Sequence, residues 1–101
     1  MTGRVRVVVY ATAPAAEPDA VVRAYHEISA ALRGTPGLLG NELLRSVLRP
    51  ADYAVASEWA DLPAFRDWEA GAAHRGTTAP LRPYQSAGAS TFGVYEVIAT
   101  Y

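Results

Sequence analysis

The sequence predicts an α+β fold in which two helices cover one face of a four-stranded antiparallel sheet. Three observations carry this. Strand-like and helix-like segments follow one another in the order β-α-β-β-α-β along 101 residues, read as a single domain. The two middle strands are joined by a short hairpin-type turn, "RPAD" (49–52). The last strand is apolar on both faces, so its sheet needs cover on both sides. The order is the split βαβ pattern of a ferredoxin-like sandwich.

The first strand is "RVRVVVYAT" (4–12), rich in β-branched residues and closed by the loop "APAAEP" (13–18). The first helix is "PDAVVRAYHEISAALRG" (18–34). Asp19 is placed to cap it, Val22, Tyr25 (or His26), Ser29 and Leu32 recur at helical spacing, and Gly34 ends it. Thr35-Pro36-Gly37 turns the chain into a second strand, "LGNELLRSVL" (39–48). The third strand, "YAVASEWA" (53–60), sets Tyr53, Val55, Ser57 and Trp59 on one face. Asp61 can cap a second helix with Pro63 in its first turn, and Leu62, Phe65, Trp68 and Ala72 line one side. "GTTAPLRPYQSAG" (76–88) is punctuated by Pro and Gly, with room for one short helical turn. The last strand, "STFGVYEVIATY" (90–101), has Phe92, Val94 and Ile98 on one face and Tyr95, Val97 and Tyr101 on the other. A second copy is the economical cover for the exposed side, which predicts a homodimer with two sheets facing each other. No internal repeat and no linker is visible.

Composition excludes several chemistries. Half of the residues are apolar and the formal net charge is −1, with no basic patch to neutralise phosphates, so nucleic acid is not the expected partner. Cysteine is absent, which removes disulfides, thiolate metal sites and cysteine nucleophiles. All nine basic residues are Arg, so no lysine Schiff base can form. The two histidines lack HxH or HxxxH spacing, no metal site is expected, and the glycines form neither a phosphate loop nor a dinucleotide fingerprint. "MTGRVRVVVYATAPA" imitates a secretory leader, but its apolar run is short and cleavage would remove the best strand. The segment is read as strand and the protein as cytoplasmic. No apolar stretch approaches the roughly 20 residues of a membrane span.

The segment from the third strand into the second helix, "YAVASEWADLPAFRDWEAGAAHR", resembles the antibiotic-biosynthesis monooxygenase family. The family pattern there is an apolar strand ending Glu-Trp, a short acidic turn, Ala-Phe, a Trp, and His-Arg. "GTPGLLGNELLRS" (34–46) is similar to the family's Pro-Gly turn before strand two. The resemblance covers nearly the whole chain in element order, and its specific motif is confined to 57–75. It implies a dimeric α/β barrel with a ligand pocket in each subunit between sheet and helices. It also implies an activity. The best-understood members oxidise anthrone-like or phenolic polyketides to quinones with O2 and no cofactor. An ionised phenol can itself reduce O2, so the protein has to bind it in a dry cavity, position it and manage protons.

Residue by residue, Trp59 matches the pocket Trp of the quinone-forming oxygenases. Their Asn four residues earlier on that strand is Val55 here, and their Tyr on the following helix is Phe65. Arg82 is roughly in register with a known pocket Arg. In the haem-degrading members, the Asn of strand one falls at Tyr10 and the Trp of helix two at Trp68. Their His ligand falls near Thr78, with His74 too early, so haem degradation is not the expected activity.

The residues themselves suggest further candidates. Trp59 and Trp68 can wall an aromatic substrate or fill the core. His26 lies beside the apolar stripe of the first helix, where a neutral imidazole could take a phenol proton. His74 suits a helix C-terminus as a cation, with a pocket role as the alternative. Tyr10 and Tyr25 could offer hydroxyls to a ligand carbonyl. Asn41 and Arg45 share one face of strand two, Glu42 and Ser46 the other, and the sequence does not say which face is covered. The expected function is therefore a cofactor-independent monooxygenase acting on an aromatic polyketide or phenol. His26 and Trp59 are its catalytic candidates, and Tyr10, Tyr25, Val55, Phe65, Trp68, His74 and Arg82 its substrate-binding ones. The alternatives are a non-oxidative cyclase or isomerase of the same fold, and a non-catalytic binding homodimer.

Overall fold

Valines favour extended backbone because branching at Cβ restricts χ1. Those at 5, 7, 8 and 9 lie in β1 (Val5–Thr12). The computed structural model describes residues 3–71, 73–85 and 92–101, without the side chains of 73–75. Along it follow α1 (Ala20–Leu32), β2 (Leu38–Arg45), β3 (Asp52–Trp59), α2 (Leu62–Ala70), α3 (Ala73–Thr78), a 3-10 turn (Arg82–Tyr84) and β4 (Phe92–Glu96). The strands form one antiparallel sheet in the order β2-β3-β1-β4, the ferredoxin-like arrangement.

Register decides which side chains face the helices. Val5 pairs with Trp59 and Val9 with Val55. On the far side of β1, Val7 pairs with Val94 and Val9 with Phe92. On β2, Asn41 pairs with Ser57 and Leu43 with Val55, while a bulge between Leu38 and Gly40 sets Leu38 opposite Trp59. That extra residue puts Leu38 and Asn41, three apart in sequence, on the same face.

Several boundaries differ from the sequence pattern. The pattern extends the second strand to Leu48, but the hairpin takes over at Ser46. There Ser46 N donates to Asp52 O (2.9 Å), and Arg49 N to Ser46 Oγ (3.0 Å). The pattern carries the last strand to Tyr101, whereas β4 ends at Glu96. Val97 N still donates to Arg4 O, but β1 begins at Val5, so residues 98–101 run past it with no partner strand among the described residues. The second helix breaks at Gly71, whose extended ψ of 151° ends α2 before α3 begins. Ala72, read as part of its apolar stripe, lies outside the described residues. Asp61 does cap α2, accepting from Ala64 N at 2.9 Å, with Pro63 in the first turn. Asp19 sits at the start of α1 but makes no cap bond. Its carboxylate pairs with Arg23 (2.8 Å), and that hydrogen bond holds it below the usual aspartate range.

The buried stripe of α1 is Ala20, Val21, Ala24, Ile28 and Leu32. This is one residue out of phase with the stripe through Val22, Tyr25 and Ser29. Small residues at 20 and 24 allow the helix to lie close on the sheet, which decides between two stripes of similar spacing.

The core has two parts. One gathers Val21, Ile28 and Leu32 of α1 with Ala11, Val55 and Leu81. The other holds Val5, Val7, Trp59 and Phe65. Val9, Leu38 and Trp68, all partly buried, pack against both. The opposite face of the sheet carries Tyr10, Leu44 and Tyr95 exposed, with Glu58 paired to Arg4 (3.4 Å) and Arg6 (3.2 Å).

Gly37 shapes the entry to β2. Its φ is +81°, and a Cβ there would collide with Ala64 Cβ on α2. Gly34 has a similar φ of +83° but open space around it. Gly37→Ala should therefore cost about 2–4 kcal/mol, backbone strain plus overpacking, and Gly34→Ala only about 1–2 kcal/mol. Urea denaturation of the two variants checks this. Equal losses would mean that α2 does not press on the turn.

Candidate functional site

Where the two core clusters meet, they leave a cavity of about 360 Å3. That volume lies in the range of small-molecule sites. The sheet supplies its floor through Val7, Val9, Val55, Ser57 and Trp59. Phe65 and Trp68 of α2 face them, because residues three apart on a helix share a side. The Trp59 ring lies 5.6 Å from Phe65, edge-on, and 5.3 Å from Trp68 at 33°. Arg82 and Gln85 line the side formed by the chain after α3. Leu81 is buried in the core and Gln85 bridges to Ala11 on β1, so Arg82 is anchored from both sides.

Polar groups on the wall are few and mostly engaged. Trp59 Nε1 donates to Ser57 Oγ at 3.0 Å, and the Ser57 hydroxyl reaches Val7 O at 3.5 Å. Asn41 Nδ2 donates to Ser29 Oγ on α1 at 2.9 Å. Arg82 donates to Thr78 Oγ1 at 3.2 Å. Glu69, also on the wall, pairs with Arg66 at 3.2 Å. Among the described residues no group of three or more His, Asp or Glu could hold a metal ion. A mainly apolar, aromatic chamber with fixed polar points suits a planar aromatic ligand, oriented by one or two hydrogen bonds.

Five of the residues singled out from sequence converge on this cavity: Val55, Trp59, Phe65, Trp68 and Arg82. Three do not. His26 is exposed, because the buried stripe passes through Ala24 and Ile28 and a residue midway between them points away; its ring packs edge-on against Tyr25 at 5.4 Å. Tyr10 is 39% exposed on the opposite face of the sheet, since it alternates with the buried Ala11. Tyr25 donates its hydroxyl to Asn41 O at 2.9 Å and lines a separate, more open depression between α1 and β2. The side chain of His74 lies outside the described residues. The cavity also takes Ser57, Thr78, Gln85 and Glu69, which were not site candidates from sequence, and Asn41, whose strand face the sequence left undecided. Ser57 was signalled by its alternation with Val55 and Trp59. Asn41 was not, because its face depends on the bulge.

Residues 4–79 match the family model of the antibiotic biosynthesis monooxygenases. The chain belongs to this family. Its fold agrees with that of SnoaB from Streptomyces nogalater, a cofactor-independent oxygenase solved in a mutant form. The TM-score is 0.80 at 21% identity, over 97% of this chain and 96% of that one. A conserved protein from Methanosarcina mazei Go1 shares the fold at 10% identity, with a TM-score of 0.77 over 94% of this chain and 93% of that one. Protein SchA of Streptomyces halstedii is 31% identical over 81 residues, 80% of this chain. The chain spans about a fifth of that relative's length, 21%. No helix among the described residues is long and apolar enough to cross a membrane.

Trp59 is 1% exposed, and its ring contacts hold α2 to the sheet. Trp59→Ala should destabilise the fold by about 3–5 kcal/mol, and Trp68→Ala, half-buried at the cavity edge, by clearly less. Denaturation midpoints check the order. The reverse order would make Trp68 the structural ring.

Proposed function

We propose that this chain is a cofactor-independent monooxygenase that oxidises an aromatic, phenolic intermediate of secondary metabolism inside the cavity. The observation that carries the reading is the mainly apolar cavity with Trp59, Phe65 and Trp68 on its walls, in a chain of this family. The described oxygenase activity of SnoaB supports it. In an anthrone-type reaction the ring CH2 becomes C=O: one O2 is consumed, one oxygen atom enters the product and the other leaves as water. The electrons come from the ionised phenol. The protein's part is to hold that anion away from bulk water and in one orientation. Arg82, a fixed cation on the wall, favours the ionised form of a bound phenol, as any near positive charge does. Trp59 and Trp68 supply flat surfaces for the rings.

A specific observation favours a second reading. The positions of the family's pocket Asn and Tyr hold Val55 and Phe65, and both lie on the cavity wall. A non-oxidative cyclase or isomerase would use the same chamber without O2, and a binding homodimer would use it without turnover.

Oxygen consumption separates these. Chelator-treated protein given an anthrone-type phenol should take up O2 well above the uncatalysed rate, with one quinone formed per O2. His26→Ala should keep the full rate, since the imidazole points to solvent, and Arg82→Ala should slow it. Ligand binding without uptake would move the assignment to a cyclase, if an isomeric or dehydrated product forms anaerobically, and otherwise to a binding protein.

We also propose that two copies pack through the sheet faces that carry Tyr10, Leu44 and Tyr95. The Arg4 and Arg6 guanidiniums neutralise Glu58 on that face, which lowers the cost of covering it. Sedimentation should give twice the chain mass, and Leu44→Glu should return it to one chain. A wild-type monomer at micromolar concentration would contradict this.

A further inference from the structure

A phenol that is to reduce O2 must first lose its proton to something. His26 is exposed and packs against Tyr25, away from the cavity wall. Among the described residues that line the cavity, only Glu69 and Arg82 carry ionisable side chains. The other polar side chains there, on Asn41, Ser57, Thr78 and Gln85, are neutral amides and hydroxyls. Arg82 keeps its proton, as guanidiniums do in proteins. Glu69 is therefore the one described group on the wall that can take a proton up.

Its position on the helix agrees. Glu69 follows Phe65 by one turn of α2 and adjoins Trp68, so it shares the side of the helix that carries the rings. Its side chain is 34% exposed, against 60% for Arg66, its partner at 3.2 Å. A pair so open to water binds weakly, which leaves the carboxylate able to turn to a ligand. Glu69 also lies in the last turn of α2, where the helix macrodipole disfavours an anion. Helix stability alone does not account for a carboxylate at that place.

We propose that Glu69 is the general base of the reaction, taking the hydroxyl proton from the phenolic form of an anthrone-type ligand bound against the rings of α2. This rests on the oxygenase reading given above. The O–H bond breaks, its electron pair stays with the ligand, and the resulting anion reduces O2. Glu69 then returns the proton to the oxygen atom that leaves as water. The second proton of that water comes from the ring carbon that becomes C=O.

The test measures O2 uptake with dithranol, a dihydroxyanthrone, corrected for the uncatalysed rate. Glu69→Gln keeps the shape of the side chain and removes its basicity. It should lower kcat by about a hundredfold or more, the usual worth of a general base. Quenching of the tryptophan fluorescence by anthraquinone, which is not oxidised, should stay as in the wild type. Glu69→Ala leaves a gap the size of acetate. Added sodium acetate should restore part of its rate and leave Glu69→Gln unchanged, a response that a merely structural role would not give. Circular dichroism checks that both variants are folded. A rate near wild type in Glu69→Gln, no gain from acetate in Glu69→Ala, or an equal gain in both variants would overturn the role of Glu69 and leave the oxygenase reading in place. No wild-type uptake above the uncatalysed rate would overturn both.

Discussion

The packing of Trp59 against α2 is the contact on which the architecture turns. Its indole stands opposite both Val5 and Leu38, at the end of the sheet where α2 begins. Phe65 and Trp68 close on it, and Ser57 takes its one N–H, so a bulky ring is buried without an unmet donor. Large rings therefore separate α2 from the sheet. On the other side of the molecule, Ala11, Ala20 and Ala24 let α1 lie close. Small residues on one side and three rings on the other leave the two core clusters apart, and the cavity is the gap between them.

That gap lets so small a domain hold a cavity and a core together. Val55, Ile28, Leu32 and Leu81 belong to one cluster and to the cavity wall; Val7, Trp59 and Phe65 belong to the other and to the wall. The same side chains stabilise the fold on one side and line the cavity on the other. Polar groups enter only where local structure fixes them. Arg82 is held between the buried Leu81 and the bridge at Gln85, and Asn41 is held between α1 and β2.

Much of this was legible in the sequence. Strand order, the hairpin, the Asp61 cap and the ring-bearing face of α2 follow from alternation, helical spacing and turn residues, which are local signals. The resemblance over 57–75 fixed the family. What was not legible depends on non-local choices. Two stripes on the first helix have similar spacing, and only packing against the sheet selects Ala24 and Ile28 over Tyr25 and Ser29, which turns His26 outward. The bulge between Leu38 and Gly40 has no periodic signature, yet it sets Asn41 inward. The end of β4 is dictated by where β1 starts, a fact about another part of the chain. Gly71 could have sat inside one helix, and the structure uses it to end one and begin another.

The central claim is that the space between the two core clusters is a ligand site and not a packing remnant. The most direct measurement is a methyl NMR titration of valine-labelled protein with a planar phenol under anaerobic conditions. Val7, Val9 and Val55 line the cavity, Val8 lies on the opposite face of the sheet, and Val47 is exposed at the hairpin tip. The account predicts saturable shifts at Val7, Val9 and Val55, with Val47 unmoved. Shifts centred on Val8, or none at any of the three cavity valines at saturating ligand, would contradict it.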